Sequence, residues 1–179
     1  MRRAGVAALL LTLAPGAQPL ASETDPWPAR FEPLAFLLGH CWRAPFPNGQ
    51  QDVQCFQSMY RGRMVHNTHV VEGSEPRYEG TTIYTWDSDH ARLRFHYFTS
   101  TGAVSEGHLL AQSDGYTIPE RHVGVDGRVS ELESRFRRVD ADTFSVLTRQ
   151  QAEGEWVDIG ERSYRRISAC PAEGVCRPP

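Results

Sequence analysis

The chain has 179 residues, a formal net charge of −3 and a hydrophobic fraction of 40%. This length is enough for one domain with a buried core. The mildly acidic balance, without a basic cluster, argues against nucleic acid as a partner and against electrostatic docking on a membrane surface.

Residues 1–22 are typical of a secretory signal peptide. Arg2 and Arg3 form its charged start, and the apolar stretch 6–13 that follows is too short to span a bilayer as a helix. Small residues and two prolines fill 14–21, and the position of the cut within them stays open. We therefore expect a periplasmic or secreted protein, with no membrane insertion after the signal is cleaved.

An apolar segment precedes the first predicted strand. Its apolar side chains fall on one helical face, which predicts one or two helical turns over 31–38 that close one end of the fold. Gly39 is placed to end these turns. The residues on this face are Phe31, Leu34, Leu37 and Leu38.

About ten short segments of alternating character follow, separated by turn signals such as Asn48-Gly49 and Asp126-Gly127. No long helix lies between them, so each strand must pair mainly with its sequence neighbours. We therefore predict an all-β fold, a single up-and-down antiparallel barrel over 23–166, because a closed barrel leaves no strand edge exposed. The tail 167–179 is predicted to be irregular. The predicted strands are 40–46, 51–60, 63–72, 77–86, 91–99, 103–112, 116–124, 128–138, 143–151 and 155–166.

Four cysteines in an exported chain predict two disulfides. Cys41 and Cys55 each lie seven residues from Asn48, so a hairpin that turns there places them opposite each other. Cys170 and Cys176 can close a small loop in the tail. Of the three possible pairings we favour Cys41–Cys55 with Cys170–Cys176, and we expect no metal because CxxC-type spacing is absent.

The hairpin around residues 87–90 predicts which rings point inward. One of its faces carries aromatic and aliphatic side chains, and the other carries mainly arginine and threonine, so the first face is expected inside. Each inward ring either packs in the core or lines a ligand pocket. The inward face is Thr82, Tyr84, Trp86, Leu93, Phe95 and Tyr97. The predicted register pairs Trp86 with Ala91, Tyr84 with Leu93, and Thr82 with Phe95.

Glu120 and His122 are the strongest candidates for an interior polar site. A three-residue loop at 125–127 sets their strand against one whose alternate residues are charged and need water. Both side chains, with Tyr116 on the same face, are therefore expected to point into the barrel and to touch, directly or through a water. A carboxylate beside an imidazole can hold the polar end of a ligand or serve as acid and base.

The preceding hairpin leaves two registers open. A three-residue loop at 113–115 brings Glu106 and His108 inside, opposite the Glu120 strand. A two-residue Asp114-Gly115 turn sends both outside and leaves room for a ligand, and we favour this register. It places small residues inside: Ser105, Gly107 and Ala111.

His66 and His69 have the spacing of metal ligands only on a helix. On a strand, an odd offset puts the two rings on opposite faces of the sheet, so a shared metal is not expected there. The sequence therefore predicts no metal site at this pair.

The segment 31–43 resembles the opening of bacterial calycin-like (lipocalin/nitrobindin-like) barrels, in which an apolar turn runs into a Gly-x-Trp element; the spacing here is Gly39-x-x-Trp42. The Tyr84-x-Trp86 hairpin and the closing strand 160–166 fit the same pattern. The resemblance implies that Trp42 lies at the closed end, with an arginine of the last strand, Arg165 or Arg166, over its ring. The nitrobindin-like members use a late histidine to bind haem, and this chain has no histidine after His122.

We therefore expect an exported β-barrel that binds a small apolar or amphipathic ligand in its interior, without haem or another cofactor, as a monomer or weak dimer. Two alternatives stay open. One is an isomerase- or hydrolase-type enzyme that uses the interior Glu/His pair, and the other is an envelope interaction protein whose barrel is filled. The residues assigned to the ligand are Tyr84, Trp86, Phe95, Tyr97, Tyr116, Glu120 and His122.

Overall fold

The structure, a computed structural model, describes residues 27–171 and 175–179. The predicted signal peptide 1–22 lies outside the described residues. A short helical turn, Trp27–Arg30, and a 3-10 turn, Glu32–Leu34, precede the strands. The described chain then forms eleven strands: β1 His40–Pro45, β2 Gln51–Met59, β3 Met64–Glu72, β4 Tyr78–Asp87, β5 Arg92–Thr99, β6 Val104–His108, β7 Leu110–Gln112, β8 Gly115–Val123, β9 Val129–Arg138, β10 Thr143–Ala152 and β11 Glu155–Ala169.

The strands form one antiparallel sheet that closes on itself. Each strand pairs with its sequence neighbour, β1 pairs with β11, and β6 and β7 both pair with β8. β6 and β7 are two parts of one barrel strand, interrupted at Leu109, so the barrel has ten strands. The predicted all-β, up-and-down barrel is confirmed, and its architecture is consistent with a calycin-like fold. Within 27–171 and 175–179 no helix has the length and apolar character needed to cross a membrane.

The β4–β5 hairpin has the predicted faces but not the predicted register. Tyr84 pairs with Phe95, and Trp86 with Leu93, so the predicted pairing was wrong by two residues. The loop keeps the expected four residues but lies one residue later in the chain, at 88–91, where Ala91 adopts a positive φ of 50°. A shift of two residues leaves every side chain on its original face, and the aromatic face is therefore inside as expected.

The β7–β8 turn also differs from the expected one. Gln112 pairs with Gly115, so the turn residues are Ser113 and Asp114 instead of Asp114 and Gly115. The side chains nevertheless face the directions expected for the favoured register, because Glu106 lies opposite Arg121 on the outer face. Ala111, expected inside, is exposed, although it pairs with the buried Tyr116 on β8.

The closed end of the barrel is an aromatic and aliphatic plug. Phe31, Leu34 and Leu37 are buried there, and the indole Nε1 of Trp42 donates a hydrogen bond to the Leu37 carbonyl at 3.2 Å. The Arg166 guanidinium lies 5.0 Å from the centre of the Trp42 ring. Of the two arginines considered, Arg166 is the one that covers this ring.

Both predicted disulfides are confirmed. Cys41 and Cys55 occupy paired positions on β1 and β2, and Cys170 bonds to Cys176 in the tail. The tail lies against the outside of the sheet, where the Cys176 carbonyl accepts a hydrogen bond from Thr68 at 2.9 Å. The last strand runs to Ala169, three residues beyond its expected end at 166.

Candidate ligand-binding cavity

A cavity of about 530 Å³ occupies the barrel interior. Phe46, Gln50 and Ser74, which lie in or beside the loops after β1 and β3, contribute to its wall at the end opposite the Trp42 plug. Its apolar wall includes Val71, Tyr84, Phe95, Ile118, Leu132, Phe136 and Val146. Its polar wall includes Asp52, His69, Tyr97, Ser105, Glu120, His122 and Arg162. The wall thus combines a large apolar surface with hydrogen-bonding groups.

One row of paired residues crosses the wall at the level of Glu120. Tyr84 pairs with Phe95, Phe95 with Gly107, and Gly107 with Glu120. Gly107 is needed for close approach: a Cβ there would lie 2.8 Å from Phe95 Cε1 and would also meet the Pro119 carbonyl oxygen. The absent side chain lets the Phe95 ring extend across the row towards the Glu120 strand.

The Glu120 carboxylate faces the cavity without a partner. It makes no hydrogen bond or ion pair with any residue that the structure describes. Burial raises its pKa to about 7, so the group is poised between its acid and its carboxylate near neutral pH. Its charge also raises the pKa values of the tyrosines Tyr78, Tyr84 and Tyr97, after the larger effect of burial.

His122 also lines the cavity, as expected, but it is engaged elsewhere. Its Nδ1 lies 2.9 Å from the Ser105 hydroxyl on the neighbouring strand. Both residues of the expected pair point inward, yet the structure records no hydrogen bond between Glu120 and His122 among its described contacts. The recorded hydrogen bond of His122 therefore goes to Ser105 and not directly to Glu120.

A hydrogen-bonded network crosses the other side of the cavity. Tyr164 donates to Asp52 at 2.5 Å, and the second Asp52 oxygen lies 2.6 Å from His69 Nε2 without good hydrogen-bond alignment. The Tyr97 hydroxyl lies 2.8 Å from His69 Nδ1 and 2.8 Å from the Tyr78 hydroxyl. Both ring nitrogens of His69 thus face a partner, and the network ends at tyrosine hydroxyls on the cavity wall.

Gly80 makes this network possible. It pairs with His69 on β3, and the Tyr97 ring packs directly over it. A Cβ at this position would lie 2.6 Å from Tyr97 Cε2 and 2.8 Å from the Phe98 carbonyl oxygen. Only a glycine lets the Tyr97 hydroxyl reach the imidazole.

Five of the seven residues assigned to a ligand line the cavity. These are Tyr84, Phe95, Tyr97, Glu120 and His122. Trp86 is half-buried under the Arg30 guanidinium, 5.0 Å from its ring, and Tyr116 is fully buried and stacked on Phe136 at 4.6 Å. The ligand role of all seven stays a prediction, and for these last two their position favours packing at the closed end.

Sequence reasoning missed the Asp52–His69 network. His66 and His69 do lie on opposite faces, and the inward His69 was not followed to a partner. A signal was available, because a disulfide on the outer face of β2 at Cys55 places Gln54 and Asp52 inward. The partner Tyr164 could not be anticipated, since it lies 112 residues away in the chain.

Among the described residues, one cluster of three side chains could offer metal ligands. It is formed by Cys41, Cys55 and Cys176, whose sulfurs belong to the two disulfides. Arg162, the cation on the cavity wall, stacks over the Phe46 ring at 4.4 Å.

Comparison of the chain with protein-family models and with curated proteins found no match.

Proposed function

We propose that this protein is an exported calycin-like barrel, related to the lipocalin and nitrobindin group, that binds a small amphipathic molecule in its interior. The observation that carries this proposal is the cavity of about 530 Å³, which lies within the size range of small-molecule sites. A barrel whose only role was structural would be expected to fill this space with side chains.

The half-buried Glu120 carboxylate, which faces the cavity, also supports a ligand. Buried polar groups in folded proteins nearly always have a hydrogen-bond partner, and leaving a carboxylate without one is costly. Glu120 has none among the described residues, while its neighbours in the row are aromatic or apolar. A bound molecule would supply the missing partner.

The arrangement of the wall orients the proposed ligand. Ile118, Phe136 and Val146 lie towards the plugged end, and they suit an apolar body. Ser105 and His122 lie near the ends of their strands, at the opposite end of the cavity. An amphipathic molecule would therefore enter with its apolar part first.

The proposed location follows from the cysteines. Both pairs are bonded, and structural disulfides persist in oxidising compartments. We propose the periplasm or the extracellular space, with residues 1–22 as the cleaved signal. Expression with this segment, followed by N-terminal sequencing of the exported protein, tests both parts of the proposal.

Fluorescence titration with N-phenyl-1-naphthylamine, a neutral apolar dye that brightens in a dry site, tests the binding function. Ser134 lines the cavity and Ser163 is exposed on the outer face, so the variants Ser134→Phe and Ser163→Phe add the same bulk on opposite sides of the wall. We expect saturable binding by the wild type and by Ser163→Phe, and a loss of at least about tenfold in affinity for Ser134→Phe. Equal binding by all three proteins would contradict an interior site.

A further inference from the structure

We propose that the cavity selects ligands that carry a cationic amine, which pairs with the Glu120 carboxylate. This inference rests on the proposed binding function and specifies the chemical class of its ligand. The first observation is positional: the residues paired with Glu120 on its two sides are Gly107 and Leu132, and neither side chain can donate a hydrogen bond. The partner of this carboxylate must come from the cavity.

The second observation is that no cation of the described wall residues forms an ion pair with Glu120. His122 faces Ser105, and both nitrogens of His69 face Asp52 and Tyr97. Arg162 stacks on Phe46 and forms no ion pair with a described carboxylate. None of these groups forms an ion pair with Glu120, so a positive charge on the ligand would provide the counter-charge of this carboxylate.

The third observation is the aromatic surface beside the carboxylate. Tyr84 and Phe95 share the cross-strand row of Glu120, and Tyr97 lines the same cavity. The faces of such rings attract cations, most strongly where water is excluded. A carboxylate next to aromatic rings is a favourable site for an ammonium group. An anionic ligand would meet two carboxylates, Glu120 and Asp52, against the single guanidinium of Arg162.

Binding of an amine should then depend on pH. The nearest titratable group on the same strand is His122, and the groups that act on or with Glu120 from β4 and β5 are Tyr78, Tyr84 and Tyr97. Asp52 on β2, His69 on β3, and Arg162 and Tyr164 on β11 complete the charged or titratable lining. Because burial raises the pKa of Glu120 to about 7, the amine should bind more tightly as pH rises through this value and should release a proton on binding.

Competition against N-phenyl-1-naphthylamine by three indoles of similar shape tests the inference. Tryptamine is cationic, tryptophol is neutral and indole-3-acetate is anionic. At pH 8 we expect tryptamine to compete about tenfold or more better than tryptophol, and indole-3-acetate to compete worst. At pH 5.5 the advantage of tryptamine should shrink to within about threefold. Calorimetry in two buffers of different ionisation enthalpy should detect the released proton at pH 7.

Glu120→Gln is the decisive variant, because it keeps the shape of the side chain and removes its charge. Tryptamine should lose its advantage in Glu120→Gln, while tryptophol binds as before. Glu106→Gln lies on the outer face of the adjacent strand and should keep the full preference. Circular dichroism establishes that each variant is folded.

The possible failures of the two proposals are distinct. Equal competition by tryptamine and tryptophol, a preference that survives Glu120→Gln, or tighter binding of indole-3-acetate would overturn the amine inference and leave the binding site standing. Absence of competition by all three indoles, together with dye binding that Ser134→Phe does not affect, would overturn the proposed function itself.

Discussion

At the scale of single residues, Glu120 links the cavity to the stability of the fold. The pKa of this acid rises from 4.5 to about 7 in the folded protein, so the folded state holds a proton more tightly than the unfolded state. The stabilising contribution of protonated Glu120 to the free energy of unfolding is therefore fully present below pH 4.5. It is lost as pH rises through 7, and the fold becomes less stable by about 3 kcal/mol. The raised pKa of this buried acid therefore lowers the stability of the fold at neutral pH.

The Glu120→Gln variant should reveal this cost. We expect it to unfold at higher urea concentration than the wild type at pH 8, with a gain of up to about 3 kcal/mol, and to match the wild type near pH 4.5. Urea denaturation of both proteins across this range, with disulfides intact, measures the difference. A variant equally destabilised at every pH would show that the side chain has a structural partner.

The Tyr164 hydroxyl is the most deeply placed member of the Asp52 network. It is almost fully buried and donates to the carboxylate at 2.5 Å. Tyr164→Phe should therefore destabilise the fold by about 1.5–3 kcal/mol, the range for hydrogen bonds to charged groups. Tyr60→Phe is the matched control, since Tyr60 is 67% exposed, and thermal unfolding should leave its melting temperature unchanged.

At the scale of strands and hairpins, Gly107 lets two strands and a ring meet. Gly107→Ala should cost about 1–3 kcal/mol, because its Cβ would meet both the Phe95 ring and the backbone of Pro119. Gly160→Ala is the control: this glycine also lies in a strand, and a Cβ there would meet nothing within 4 Å. Urea unfolding should show that Gly160→Ala is neutral or slightly stabilised.

The two disulfides should differ in their contributions. Cys41 and Cys55 are separated by 14 residues, and by the chain-entropy model their bond contributes about 3 kcal/mol; Cys170 and Cys176 are separated by six residues, and their bond contributes about 2 kcal/mol. Paired Cys→Ala variants, compared by urea denaturation, should fall in this order. The reverse order would mean that the tail, and not the β1–β2 hairpin, is the more important constraint on the unfolded chain.

The elements themselves were largely predictable, because alternation and turn residues are local signals. Strand bounds agree within a few residues, and the parity of the β4–β5 and β8–β9 hairpins placed Tyr84 and Glu120 on the inner face. Turn positions were less predictable, since the β4–β5 turn lies one residue later than expected, with the non-glycine Ala91 at positive φ. The interruption of the strand at Leu109 could not be predicted, because the alternation of polar and apolar residues in the sequence does not indicate it.

The parts of the site built by distant strands could not be predicted from the sequence. Asp52, His69 and Tyr164 come from β2, β3 and β11, and their meeting depends on closure of the whole barrel. Likewise, the contact between His122 and Ser105 depends on a β6–β8 register that differs by two residues from the expected one. The alternation within a strand predicts which side chains point inward. Their contacts depend on strands that are distant in the sequence and meet only in the closed barrel.

At the scale of the whole molecule, the barrel has two unlike halves. The plug around Trp42 and Phe144 fills one end with stacked rings, and the cavity occupies the rest of the interior. Apolar side chains are also exposed on the hairpin formed by β10 and β11, where Val157 and Ile159 are about half exposed. An apolar probe could therefore bind inside the barrel or on this hairpin, and the two outcomes imply different functions.

Methyl-labelled NMR with N-phenyl-1-naphthylamine separates these outcomes directly. The methyl groups of Ile118 and Val146 line the cavity and are almost fully buried, so only a molecule inside the barrel can contact them. We expect intermolecular NOEs from the dye to these two residues, and their loss in Ser134→Phe. NOEs confined to Val157 and Ile159, with Ile118 and Val146 unaffected, would contradict an interior binding site.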